Sequence, residues 1–154
     1  MIVNFTLNDS FFVIKSKRFE DIYDVLVNKK HIFKMAELFT LCATIGFKNN
    51  RKIKIKSRGK EIRSEHFKEN QLTAIYSIMI NSKCINADLD NFRDYEFIKQ
   101  AFKHLEEYAE GGMEILCEQA LKEKFNGPYI LDDNYDQYEI DILKYIKEEQ
   151  DNVF

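Results

Sequence analysis

The sequence predicts a mainly α protein: a helical domain of five to seven helices, with a small β element near the N-terminus and a second candidate β stretch in a basic segment. Three observations lead there. Apolar residues recur at i, i+3, i+4 and i+7 through most of the chain, the period of amphipathic helices. Hydrophobic residues make up 45% of 154 positions, and thirteen Phe and eight Tyr supply bulk for a core. One proline and five glycines leave no stretch that reads as a flexible linker, so the chain reads as one domain with a tail.

Ile2 to Lys15 is rich in Val, Ile and Phe around Asn8-Asp9-Ser10, which suits short strands joined by a turn. Ser16 is placed to cap a helix carrying Phe19, Ile22, Tyr23 and Leu26 on one face, with Glu20 and Asp21 in its first turn. From Ile32 to Phe47 a second helix is apolar on most sides, with Ile32, Met35, Ala36, Phe39 and Ala43 on one face and Leu38, Leu41 and Ile45 covering much of the rest. Such a helix belongs at the centre of a fold or in an oligomer interface.

Gly46 and Asn49-Asn50 should end that helix, after which Arg51 to Lys56 alternates basic with apolar, the period of a half-exposed strand or extended arm. Ser57-Arg58-Gly59-Lys60 reads as a turn, Ser64 to Asn70 as a short helical piece, and Leu72 to Ile80 as an apolar helix. A clear amphipathic helix runs from Tyr95 through Ile98, Phe102, Leu105 and Ala109 to Gly111-Gly112. Two glycines in a helix cost about 1 kcal/mol each relative to alanine, so the pair is expected to mark a bend or a stop, with close helix packing as its reason. A separate helix follows on Met113, Leu116, Cys117, Ala120 and Leu121, ending before Asn126-Gly127-Pro128. A last, more acidic helix carries Tyr135, Tyr138, Ile142 and Tyr145. The expected division is residues 1–127 as the helical domain and 128–154 as an acidic segment on or beside it.

Residues 1–7 lack the basic start, apolar run and cleavage site of a secretory signal, and no apolar run is long enough to span a bilayer. Cys42, Cys84 and Cys117 are widely spaced and odd in number, which points to a reduced cytoplasm rather than a disulfide framework. Net charge is only −3, yet charge separates along the chain. Lys48, Arg51, Lys52, Lys54, Lys56, Arg58, Lys60 and Arg63 stand against Glu61 alone, whereas the stretch from Asp132 to Asp151 is strongly acidic.

Those eight cations are the candidate site for a nucleic acid or other polyanion, because a strand-like period throws alternate side chains to one side, where they can track a phosphate backbone. Two bland readings compete: a solvated edge strand whose lysines block aggregation, and an internal partner for the acidic segment. Glu106, Glu107, Glu110 and Glu114 with His104 form the one cluster that resembles a metal or acid–base site. Its order is His-x-x-Glu, with no second copy on another helix, so a solvated helix face is the expected reading. His31, His66 and His104 are scattered, and Cys42 and Cys117 lie on apolar faces where a thiol is inert. No catalytic, metal or cofactor residues are assigned.

Two stretches carry a family resemblance. Phe39-Thr40-Leu41-Cys42-Ala43-Thr44-Ile45-Gly46-Phe47-Lys48-Asn49-Asn50-Arg51 and Glu106-Glu107-Tyr108-Ala109-Glu110-Gly111-Gly112-Met113-Glu114-Ile115-Leu116 together resemble the fourth of the small protein families associated with the bacterial Dnd DNA-phosphorothioation system. The similarity covers Phe12 to Leu121. Glu110 and Met113 depart from the Asn and Leu of the family pattern, and the acidic segment lies outside it. The resemblance implies an accessory role in a prokaryotic, DNA-linked antiviral defence locus and supplies no catalytic residues.

The leading expectation is therefore a non-catalytic accessory or adaptor protein that meets DNA or a defence-system partner through Lys48 to Arg63. A homo-oligomeric interaction module without nucleic-acid binding stands second. A metal-dependent nuclease built on the α-helical glutamates stands third.

Overall fold

A computed structural model describes residues 11–82 and 95–151, with side chains in the second stretch from residue 99 onward. The expected strand residues 2–10 with their turn, Cys84, and the side chains of Tyr95 and Ile98 lie outside the described residues.

Strand β1 (Phe12–Ser16) leads through a single 3₁₀ turn into the short helix α1 (Glu20–Tyr23) and a π-helical continuation over Asp24–Lys29. Helices α2 (Met35–Lys48), α3 (Glu69–Asn81), α4 (Tyr95–Gln119) and α5 (Tyr138–Asp151) follow, interrupted by β2 (Arg58–Arg63) and by a hairpin of β3 (Phe125–Gly127) and β4 (Ile130–Leu131). More than half of the described residues are helical, as the periodicity predicts. Glu37 and Gln71 cap α2 and α3 from within, accepting the backbone N–H of Lys34 and Lys68 at 2.9 Å each.

The core is built on α2 crossing α4, with Leu38, Phe39, Cys42 and Ala43 of α2 and Leu105, Tyr108, Met113 and Leu116 of α4 almost wholly enclosed. The helix that reads as apolar on most sides is indeed central. Tyr138, Ile142 and Tyr145 place one face of α5 in the same core.

Several expectations are corrected. Gly111-Gly112 does not stop a helix, because α4 is one continuous element of 25 residues. The pair is there for approach: a methyl group on Gly112 would fall onto the Cys42 carbonyl of α2, one on Gly46 onto the Tyr108 carbonyl of α4, and one on Gly111 onto the Arg51 carbonyl. The backbone of α2 and one strap of chain therefore meet α4 where side chains would hold them off.

The helix expected after Ser16 is split into 3₁₀, α and π turns, and Ser16 does not cap it with its side chain. Its hydroxyl donates instead to Glu110 Oε1 at 2.7 Å, which gives this buried carboxylate a hydrogen-bond partner. The stretch Arg51 to Lys56 forms no strand. Pairing falls on Arg58–Arg63, antiparallel to β1 with Val13 opposite Ile62, so the expected turn at Ser57 to Lys60 is a bend at Lys56-Ser57 followed by strand. Val13 and Ile62 are the apolar pair that fixes this register, since both are buried. The piece expected from Ser64 to Asn70 is a 3₁₀ turn at Ser64–His66 before α3 begins at Glu69. The separate helix expected on Met113 to Leu121 is the last part of α4, which ends at Gln119, and the chain after it forms the β3–β4 hairpin.

Candidate functional site: a strapped basic segment beside a glutamate ladder

The structure divides the eight candidate cations. At the root of the segment, the Arg51 N–H donates to the Gly46 carbonyl at 2.8 Å and the Ile53 N–H to the Glu107 carbonyl of α4 at 3.0 Å. Gly111 makes room for that strap. Farther on, the Ser57 carbonyl accepts the Lys17 N–H at 3.0 Å, and β2 then pairs with β1. The segment is thus not a free arm but a bridge fixed at both ends.

Arg51 turns back onto α4, with Nη1 at 3.3 Å from Glu114 and 3.1 Å from Glu118. Lys52 Nζ donates to His104 Nδ1 at 2.8 Å and lies 4.0 Å from Glu107. Accepting that bond requires a neutral imidazole, and burial followed by the Lys52 charge lowers the His104 pKa accordingly. Arg63 faces Glu61 on its own strand at 3.6 Å, both well exposed. Lys48, Lys54, Lys56, Arg58 and Lys60 point into solvent and make no ion pair with the described residues, although Arg58 is near enough to Glu106 to lower that carboxyl's pKa. The acidic segment does not cover them: its one ion pair among the described residues joins Asp133 to Lys29 at 3.1 Å.

The glutamates expected on a solvated face are largely occupied by the fold. Glu106 accepts the β1 backbone N–H of Ile14 at 2.8 Å, taking a hydrogen bond that no third strand among the described residues receives. Burial pushes its carboxyl up to about 7, against that hydrogen bond and Arg58. Glu110 is only 6% exposed, accepts Ser16 Oγ and lies 3.7 Å from Arg18, and its pKa too is raised by burial. Glu114 is shared between Arg18 at 3.0 Å and Arg51. This ladder ties β1, the 3₁₀ turn and the basic segment to one helix, and the described residues present no converging group of three metal-ligating side chains. The thiols are enclosed as expected: Cys42 and Cys117 are buried, burial raising the first strongly and the second to about 12.

Residue-by-residue reading missed two cations that belong to this surface. Lys15 and Lys17 sit on β1 and the turn after it, beside Lys60. The only sequence signal was a lysine inside a Phe-Val-Ile run, where period-2 spacing puts Lys15 on the face of Val13.

Comparison with known proteins adds one match. A family model described as DNA sulphur modification system-associated protein 4 covers residues 14–151, which includes the acidic segment that the motif resemblance left out. No curated protein and no solved structure matches the chain.

Proposed function

The chain belongs to the family of DNA sulphur modification system-associated protein 4, and on that premise we propose that it serves such a system, within an antiviral defence locus, as a non-catalytic accessory protein that touches DNA through the open part of its basic segment. One observation supports this reading above the others. Lys48, Lys54, Lys56, Arg58 and Lys60 stay exposed without an ion-pair partner among the described residues: Lys54 and Lys56 on a stretch anchored at both ends, Lys48 on the end of α2, and Arg58 and Lys60 on β2. Cations fixed in place this way lose little freedom on meeting phosphates. Lys54 and Lys56 are alternate residues of the stretch between the two anchors.

Fluorescence anisotropy with a short DNA duplex tests it. Affinity is expected to fall with salt, and the variant Lys48→Gln/Lys54→Gln/Lys56→Gln should flatten the log–log slope by roughly 2 to 3 units, at about 0.9 per neutralised phosphate contact. Binding indifferent to salt, or a slope unchanged in the variant, refutes the DNA contact.

A second reading, a homo-oligomer, is supported by α5, whose outer face shows Ile140 at 48% and Leu143 at 57% exposure one helical turn apart. Light scattering that gives a monomer at every concentration would exclude it.

A further inference from the structure

Beside the basic segment, between β1, the helical turn that follows it and the β3–β4 hairpin, lies a groove of about 530 Å³. That volume is in the range of small-molecule sites. Its wall holds Lys15, which is only 5% exposed yet forms no hydrogen bond or ion pair with any described residue. Its ammonium has only the face of the Tyr23 ring, 5.0 Å from the centroid, and the more distant charge of Glu20. A lysine enclosed to this degree is ordinarily paired. Lys60, facing the same groove from β2, makes matters worse for it: burial and the Lys60 charge both act to lower the Lys15 pKa.

The other charges around the groove are already committed. Arg18 is held by Glu110 and Glu114, with its guanidinium over the Phe19 and Tyr129 rings. Asp21 accepts the Leu131 N–H at 3.0 Å, and Asp24 accepts Asn28 Nδ2 at 2.9 Å while facing Lys29. What remains without an ion pair is Lys15, Lys17 and Lys60 against Glu20 and Asp21, three ammonium groups lining one concave site with positive charge in excess. A phosphomonoester offers three strong acceptor oxygens, one for each of these ammonium groups, and more negative charge than a carboxylate with its two.

We propose that this groove binds a phosphomonoester, its phosphate held by Lys15 and Lys60 with Lys17 at the mouth. Tyr129 and the acceptor oxygens of Glu20 and Asp24 line the remaining space, where a sugar or base can lie. The phosphate can come from a free nucleotide or from the 5′ end of a DNA strand, and the site shares Lys60 with the open basic segment but not Lys48, Lys54 or Lys56.

Calorimetry on the full chain decides the matter, using adenosine 5′-monophosphate, adenosine, and one duplex with and without a 5′-phosphate. The expected result is binding of the mononucleotide or of the phosphorylated duplex over its unphosphorylated counterpart, weakened on the order of tenfold or more by Lys15→Met and by Lys60→Gln. Binding of the mononucleotide identifies a free nucleotide as the source, and a response confined to the phosphorylated duplex identifies a strand end. Should Lys15→Met fail to fold in a thermal melt, Lys60→Gln on the exposed strand carries the test. The Lys48→Gln/Lys54→Gln/Lys56→Gln variant should bind the phosphate probe as before, so the two proposals fail separately. No heat with any phosphate, or equal binding with and without the phosphate, overturns the proposal, as does affinity unchanged in the variants that fold.

Discussion

The two parts of the basic segment have nearly the same composition and opposite surroundings. Arg51 and Lys52 lie against α4 and give their charge to Glu114, Glu118, Glu107 and His104. From Lys54 to Lys60 the cations face water, and apart from the pull of Arg58 on Glu106 nothing described on the chain draws on them. The contrast teaches that a run of like charge is not one functional unit. Where the backbone is strapped to a helix, the charge helps hold the strap, and it is away from that anchor that charge is available for a ligand.

The largest expected effect comes from destroying the anchor. Gly111→Ala drives a methyl group into the Arg51 carbonyl and should destabilise the fold by about 3 kcal/mol, with Gly112→Ala at least as severe because it forces α2 from α4. Urea titration measures both, and a change below about 1 kcal/mol in either would mean that the backbones can separate cheaply.

Next is Glu106, whose carboxyl secures β1 beside the strap. Its folded pKa is raised, to about 7, so the native state holds the proton more tightly than the unfolded chain does. Its stabilising contribution is full below the ordinary glutamate value and disappears as pH climbs through 7, a loss of about 3 kcal/mol. Glu110 acts with the same sign. Denaturation midpoints measured from pH 4.5 to 8 should therefore fall less steeply in Glu106→Gln than in the parent chain, and identical slopes would show that Glu106 titrates normally.

Removing Arg51's charge with Arg51→Gln should cost about 1 kcal/mol or less, because its partners are partly exposed and screened. The smallest change is expected from Lys54→Gln/Lys56→Gln, within about 0.5 kcal/mol of the parent in stability. If that pair proved as costly as Arg51→Gln, the division between anchored and open cations would collapse.

Much of this was legible in the residues. The central position of α2 follows from Leu38, Phe39, Cys42 and Ala43, which make most of its surface apolar, and the inert thiols follow from the same pattern. The eight cations were visible as a group, and so was close packing as the reason for Gly111-Gly112. The hairpin at Phe125 to Leu131 was missed, because its strands of three and two residues are shorter than any period can reveal. The π turn over Asp24–Lys29 was hidden because its apolar spacing reads the same as that of an α-helix.

By itself, then, the sequence determined that the protein is helical, which helices are central, and where positive charge concentrates, since these depend on side-chain type and local period. Only the tertiary structure decided which charges are spent. Arg51 meets Glu114 and Glu118 across more than sixty residues of chain, Ser16 meets Glu110 across more than ninety, and Lys15 is enclosed beside Lys60 by a strand pairing whose register no local pattern announces. Coulomb energy and desolvation depend on distances in space, and a linear spacing of residues does not contain those distances.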